Sequence, residues 1–279
     1  MSVAPHQETA PVRKIQISKG RQNIHPAAYV HPKAKLGRNV TVGPFSIVDA
    51  DVELGDGTEV MNHVTINGPT VIGQGNRFFP YCSIGQDPQD KKYDGAGDSA
   101  LAIGDGNTFR EYVTVHRGTP FGRGITRIGH ENWIMAYCHI AHDCMVGDHT
   151  IFANGATLGG HVTVGDQVLL GGFTAIHQHC KIGEVAMTGG HTMIARDIPP
   201  FVLASGNRVK LYGVNKVGLE RSGYPPEEIE NIKKAYRIYF RSKLPARKGL
   251  AKIEAELTHS PAVRTMVDFI KNSERGIAR

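Results

Sequence analysis

The hexads beginning at Ile140, Leu158 and Ile176 lie 18 residues apart and carry most of the residues that could do chemistry. His142 falls in the first with Asp143 beside it, His161 in the second, and His177 and His179 in the third. His139 precedes His142 by three positions. If these hexads stack, one side of three adjacent layers carries four imidazoles and a carboxylate. Two chemistries suit such a set. One histidine could act as general base while the others bind polar groups of a substrate. Alternatively, three imidazoles could converge on a metal ion. Side chains on stacked layers stand about 5 Å apart along the stack, so a three-histidine metal site would usually draw ligands from two subunits. No metal is expected. Stacked surface histidines without a role, on a non-catalytic scaffold, are the remaining alternative.

The element that positions these residues is a six-residue repeat. From Ile24, steps of six give Val30, Leu36, Val42, Val48, Leu54, Val60, Ile66, Ile72, Phe78 and Ile84, all apolar. The phase resumes at Ile103, Phe109 and Val115, and again from Ile128 to Ile194, where only Thr188 is not apolar. At 40% apolar composition, eleven successive hits have a chance of roughly 4 in 100,000. Neither a helix nor a simple strand has period six. A triangular solenoid does, with one short strand and one corner per hexad and three hexads per coil. Glycines repeat with the coil at Gly37, Gly55 and Gly73, then at Gly129, Gly147, Gly165 and Gly183. A corner conformation that other residues resist is the expected reason. The fold expected is therefore mainly β: a left-handed parallel β-helix over residues 23–198, eight to nine coils and roughly 40 Å long.

Two stretches break the repeat, 86–102 and 116–127, and are expected as extruded loops, which on a rigid scaffold often carry function. Beyond Pro199-Pro200 the hexad phase gives way to helical spacing. Ile229, Ile232, Tyr236 and Tyr239 form one stripe, Leu250, Ile253 and Leu257 a second, and Val263, Met266, Val267 and Ile270 a third behind the cap-like pair Ser260-Pro261. Residues 199–279 are thus expected as a C-terminal α-helical domain, and 1–22 as an N-terminal extension.

Composition narrows the classes further. Of 279 residues 33 are Gly, spread without collagen's triplet. No apolar run approaches 18 residues, so no transmembrane segment is expected. The first residues lack the apolar stretch of a secretory signal. The four cysteines form no CxxC pair, which suggests free thiols in a reducing compartment; a cytoplasmic location is expected. The net charge is +6, and +5 of it lies between Glu227 and Arg279 (12 Lys/Arg against 7 Asp/Glu). Such a charge favours an anionic partner.

Several blocks give the chain a close resemblance to the UDP-N-acetylglucosamine O-acyltransferases of lipid A biosynthesis, from about Ile24 to Arg279. They are HIAHDC at His139–Cys144, VHRGT at Val115–Thr119, ATLGGHV at Ala156–Val162, GGFTAIHQHC at Gly171–Cys180, IPPFVLASGN at Ile198–Asn207 and YGVNKVGLERSG at Tyr212–Gly223. The resemblance implies transfer of an (R)-3-hydroxyacyl chain from the phosphopantetheine thioester of an acyl carrier protein to the 3-hydroxyl of UDP-N-acetylglucosamine. It implies a homotrimer with the active site between subunits, and no bound cofactor, because phosphopantetheine arrives on the carrier protein. The charged helices then suit an acidic carrier protein rather than nucleic acid.

The resemblance also assigns residues. His142 becomes the general base, Asp143 the residue that orients the base or holds the sugar, and the Gly160 amide the oxyanion donor. Adjacent residues of a strand point to opposite sides, so a direct His142–Asp143 bond requires a corner conformation. Gln89, Asp90, Lys92, His139, His161, His177 and Gln178 are implied as sugar and phosphate contacts, and Asn215 and Arg221 as nucleotide contacts. Gly190 is implied to leave the acyl groove open, and Arg208 replaces a histidine that helps to end it. An acyl chain of about 12 to 14 carbons or longer is expected, at about 0.8 kcal/mol per buried CH₂. The chain departs from the family at Val217 and Ser222, where an acidic residue and a second arginine are usual. An amide-forming reaction on an aminated sugar nucleotide, or a carbonic anhydrase-like metalloenzyme, would be the competing activities.

Overall fold

A computed structural model describes Gly20 and residues 22–279; nearly all of the expected N-terminal extension lies outside these residues. Each of the 26 hexads becomes a short strand, from Asn23–Ile24 to Met193–Ile194. The strands pair in parallel at intervals of one coil, as in Ile140↔Leu158 and Leu158↔Ile176. Three sheets result. The first contains Trp133–Ile134 and its coil equivalents, the second His139–Ile140 and its equivalents, and the third Met145–Val146 and its equivalents. This is the expected left-handed β-helix.

The hexad positions fill the prism. Val42, Val60, Phe78, Phe109, Ile134, Phe152 and Leu170 are at most 1% exposed, and the Phe78 and Phe109 rings stack at 4.9 Å. Thr188 keeps its place because its hydroxyl lies 2.9 Å from the Thr174 hydroxyl. A buried polar column that the hexad pattern does not reveal runs beside the aliphatic one. Asn107 donates to the Asn76 side-chain oxygen, Asn132 to that of Asn107, and the Thr150 hydroxyl to that of Asn132. Each buried amide therefore has its partner one coil away, which removes the cost of burying it.

The coil-spaced glycines have a different cause from the one expected. None of the seven adopts a positive φ; 17 non-glycine residues do, including Asp143, His161 and His179, and most recur at intervals of six along the corners. The glycines are required by close stacking instead. A Cβ on Gly55 would lie 2.5 Å from the carbonyl carbon of Gly73 in the next coil, and one on Gly147 would lie 2.1 Å from Asp166 Oδ1.

Both loops are shorter than the broken repeat suggests. Ser83–Gln86, Ala100–Ile103, Thr114–His116 and Ile125–Ile128 are strands, leaving 87–99 and 117–124 outside them. Outward-facing strand residues need not be apolar, so their pairing leaves no hexad signal. The solenoid also continues past 198. Val202–Ser205 adds a parallel strand to the first sheet through Met187↔Leu203, a step of 16 residues rather than 18, and Lys210–Val214 folds back antiparallel on it. The shortened coil explains why the phase vanishes although the sheet does not.

Four helices follow: α1 (Lys216–Arg221), α2 (Pro226–Tyr236), α3 (Ala246–Leu257) and α4 (Pro261–Lys271), with a π-helical turn at Arg237–Arg241 after α2. The predicted stripes bury Ile229, Ile232, Ile253, Leu257, Val263, Met266 and Ile270 against Phe201 and Val185 at the solenoid end. Ser260 caps α4 by accepting from the Val263 N–H, with Pro261 at its first turn. All four cysteines are free and buried.

Candidate active site

One edge of the prism gathers the chemistry. Loop 87–99 connects a strand of the second sheet to one of the third, and loop 117–124 makes the same connection one coil later. In the following coils that edge is turned by Asp143, His161 and His179, all with positive φ. Both broken hexads therefore lie in register with the histidine column. The residues just before these corners form a second column: His142, Gly160 and Gln178.

The corner conformation at Asp143, φ 61°, lets neighbouring side chains meet. His142 Nδ1 lies 2.8 Å from Asp143 Oδ2, and the two residues are 8% and 0% exposed. The Asp143 carboxylate also accepts from the Thr119 N–H at 3.1 Å, the Thr119 hydroxyl at 2.7 Å and the Arg123 N–H at 2.7 Å. Burial alone would raise its pKa. The donors from His142, Thr119 and Arg123 outweigh burial and hold it below the ordinary carboxylate value. An ionised Asp143 accepts the Nδ1–H of His142, which leaves Nε2 as the basic nitrogen. That nitrogen faces Gly160, where a Cβ would lie 2.7 Å from Nε2 and 2.5 Å from Cε1. The Gly160 carbonyl accepts from His179 N–H, whereas its own N–H meets no acceptor among the described residues.

His161 stands edge-on to His142 at 5.2 Å and stacks on His179 at 4.4 Å. Burial lowers the pKa of His161 against the opposing pull of Asp143. His142, Asp143 and His161 offer atoms within 4.8 Å of one another, a geometry that could hold an ion. Here the structure departs from the three-imidazole set considered from sequence, because the third group is a carboxylate already engaged by Thr119 and Arg123. His139 lies on the adjoining strand, its Nδ1 2.7 Å from the Thr114 hydroxyl and its ring 5.2 Å from that of His116. Burial, with His116 and His142 nearby, pushes His139 down to about 4.

The other sequence candidates divide by position. Gln89, Asp90 and Lys92 lie on loop 87–99 at the same edge, with Asp90 Oδ1 accepting the Lys92 N–H. His177 and Gln178 are exposed on the coil after Gly160, the His177 ring bonded to the Gln178 carbonyl. Gly190 is exposed at the opposite edge of the second sheet, where a Cβ would meet nothing nearer than the Gly172 oxygen at 3.4 Å. Arg208 is exposed at the turn after Ser205. Asn215 is buried as the cap of α1: its Oδ1 accepts the Gly218 N–H and its Nδ2 donates to the Val185 carbonyl. Val185 turns the edge between the third and first sheets, so Asn215 and the exposed Arg221 stand at a different edge from the histidines. Thr119, Arg123, His116 and Arg117 were not singled out from sequence, although VHRGT, which includes three of them, was visible as a block.

The chain matches the family model "Udp N-acetylglucosamine O-acyltransferase; Domain 2" over residues 197–278, and the bacterial transferase hexapeptide model over 33–68 and 125–160. It is 52% identical over 256 residues to the acyl-[acyl-carrier-protein]–UDP-N-acetylglucosamine O-acyltransferase of Halorhodospira halophila, covering 92% of this chain and 99% of the relative. With the Thermodesulfovibrio yellowstonii enzyme of the same name the identity is 49% over the same shares. Among solved structures, the UDP-N-acetylglucosamine acyltransferase of Francisella novicida superposes with TM-score 0.89 at 37% identity, covering 92% of this chain and 94% of that one. The Moraxella catarrhalis enzyme gives 0.88 at 40%, covering 92% and 99%. Two loops and a histidine column at one solenoid edge, the helical domain and these similarities converge: the chain is an acyltransferase and belongs to the acyl-[acyl-carrier-protein]–UDP-N-acetylglucosamine O-acyltransferase family of lipid A biosynthesis.

Proposed function

We propose that the protein transfers an (R)-3-hydroxyacyl chain from acyl carrier protein to the 3-hydroxyl of UDP-N-acetylglucosamine, with His142 as general base. The observation that carries this reading is the buried His142–Asp143 pair, whose free Nε2 faces Gly160. His142 Nε2 takes the proton of the sugar hydroxyl as its oxygen bonds to the thioester carbonyl carbon. The Gly160 N–H donates to the oxygen that becomes negative. When the tetrahedral intermediate collapses, the carbon–sulfur bond breaks and the proton on Nε2 goes to the departing pantetheine sulfur. Asp143 holds the tautomer and stabilises the imidazolium throughout. No cofactor takes part; phosphopantetheine enters and leaves with the carrier protein.

Gln89, Asp90, Lys92, His139, His161, His177 and Gln178 bind the acceptor from the same edge. Asn215 and Arg221 sit at another edge, and the third sheet separates them from His142 within one chain. A neighbouring copy could supply them, which supports a homotrimer with the site between subunits. Asn215 then acts by shaping the start of α1, since its amide is already engaged, while Arg221 is free to meet a diphosphate. The +5 on 227–279 suits an acidic carrier protein. Lys233, Lys234, Lys252 and Lys271 pair with glutamates of the same domain, so docking falls to the remaining cations.

The test is to mix the purified protein with UDP-N-acetylglucosamine and hydroxyacyl carrier proteins of graded length and follow the sugar nucleotide by mass spectrometry. An O-acylated product, dependent on His142, is expected. Activity that requires stoichiometric zinc, or a product formed only on an aminated sugar nucleotide, would overturn the reading.

A further inference from the structure

Loop 87–99 carries the proposed acceptor contacts, yet it contains no strand or helix. Thirteen residues joining two strands at a corner otherwise turned by a single residue have many alternative paths, and ordering them costs conformational entropy. The loop ends are tied by one buried cation. Arg117 is 7% exposed. Its guanidinium donates to the Gly85 carbonyl just before the loop, to the Asp87 carboxylate at its first residue, and to the Ser99 hydroxyl at its last, 3.3 Å away. His116 adds a bond from Nδ1 to the Asp87 carbonyl at 2.6 Å. The backbone joins in through Arg117 N–H to the Gln86 carbonyl and Gly118 N–H to the Ala100 carbonyl.

We propose that Arg117 is the positioning residue of the acceptor loop: by clamping both ends of 87–99 it fixes the path on which Gln89, Asp90 and Lys92 meet the sugar nucleotide. The inference rests on the reading above that this loop binds the acceptor. A planar fork of five donors can serve three acceptors in different directions at once; a lysine ammonium keeps the charge but not the geometry. Two residues further on, Thr119 grips Asp143, so one segment sets both the loop and the base. The two roles are separable because they use different atoms: the Arg117 side chain for the loop, and the Thr119 hydroxyl and the backbone of 119 and 123 for Asp143.

The experiment compares Arg117→Lys, Asp87→Asn and Ser99→Ala with the unaltered chain by steady-state kinetics and by hydrogen exchange resolved to peptides. For Arg117→Lys the KM for UDP-N-acetylglucosamine should rise at least tenfold, with kcat within threefold and the KM for acyl carrier protein unchanged. Exchange should quicken in 87–99 but not in 139–144. Asp87→Asn and Ser99→Ala, which leave Arg117 in place, should shift the same KM less and in the same direction. Equal loss of kcat and of both KM values, or unchanged exchange in the loop, would overturn the proposal. Lys92→Ala serves as the reference. If it raises the acceptor KM while Arg117→Lys loosens the loop without doing so, the clamp is not needed for positioning. If Lys92→Ala, Gln89→Ala and Asp90→Asn all leave the acceptor KM unchanged, the acceptor reading itself fails and takes this proposal with it.

Discussion

The His142 imidazole lies directly over Gly160, so close that a Cβ on Gly160 would stand 2.5 Å from Cε1 of the ring. The base and the proposed oxyanion donor thus share one small space, and glycine is needed there for clearance; its backbone conformation is not left-handed. Gly160→Ala is expected to push the imidazole aside and lower kcat by about 10²-fold or more, the range seen when an oxyanion donor is lost. Fold and oligomer should be retained by circular dichroism and gel filtration. Full activity in that variant would remove Gly160 from the mechanism.

Asp143 reaches His142 only because Thr119 and Arg123 hold its carboxylate. His142→Ala should cost about 10²- to 10⁴-fold in kcat. Asp143→Asn should also lower kcat, since an amide can donate to Nδ1 and favour the wrong tautomer. Thr119→Val, which deletes one of the three donors other than His142, should give a smaller loss in the same parameter. Single-turnover acyl transfer with saturating acceptor would measure this order, and a Thr119→Val effect confined to KM would contradict it.

The stacking glycines and the corner residues should respond oppositely to substitution. Gly55→Ala places a methyl 2.5 Å from the next coil's backbone and should destabilise by about 1–3 kcal/mol, the usual cost of overpacking. Gly57, with φ +69° and open space around it, occupies a corner that asparagine fills elsewhere, as at Asn39. Gly57→Asn should stay within about 0.5 kcal/mol, as surface changes usually do. Urea unfolding of the two variants would show the contrast.

Stability should fall as pH drops from about 6.5, the ordinary histidine value, toward 4. Burial lowers the pKa of His139 to about 4 and also lowers those of His116 and His161. For such groups the unfolded chain binds protons first, so their contribution is full above the unfolded value and is lost as pH falls through the folded one. Each can add a slope of up to about 1.4 kcal/mol per pH unit within its window. Asp143, whose pKa is also lowered, contributes above its unfolded value and loses that contribution at more acidic pH than the histidines do. Urea titrations at pH 7, 6, 5 and 4 should show a shallower slope in His139→Asn.

Gly190 lies at the edge of the second sheet opposite Asp143, three coils beyond His142, or about 14 Å at 4.8 Å per coil. An acyl chain running from His142 along that sheet would end near it. Gly190→Met should shift preference toward shorter donors, losing about 0.8 kcal/mol for each CH₂ left unburied. Competition between carrier proteins bearing 10- and 14-carbon chains, the latter near the expected length, would read the shift, and an unchanged ratio would place the groove elsewhere.

The sequence by itself determined the solenoid, its 26 hexads and the helical domain, because a core-facing residue recurs every six positions and that spacing is local. It also exposed the histidines of adjacent coils, which share the same period. Stacking in three dimensions decided the rest. Ile84 and Ile103 flank a break with no period, and only the strand pairing shows that both loops leave at the corner later turned by Asp143. The glycines after Leu36, Leu54 and Ile72 look like turn formers until the next coil's backbone is in place above them. Thr119 and Arg123 stand 24 and 20 positions from Asp143, and Arg117 is 30 from Asp87; none of these pairs follows the coil period of 18. Asn215 carries a motif signal, yet the fold spends its amide on a helix cap. A repeat can be read because its contacts are copied from coil to coil. Loop clamps and cross-coil hydrogen bonds occur once, so only the folded chain reveals them.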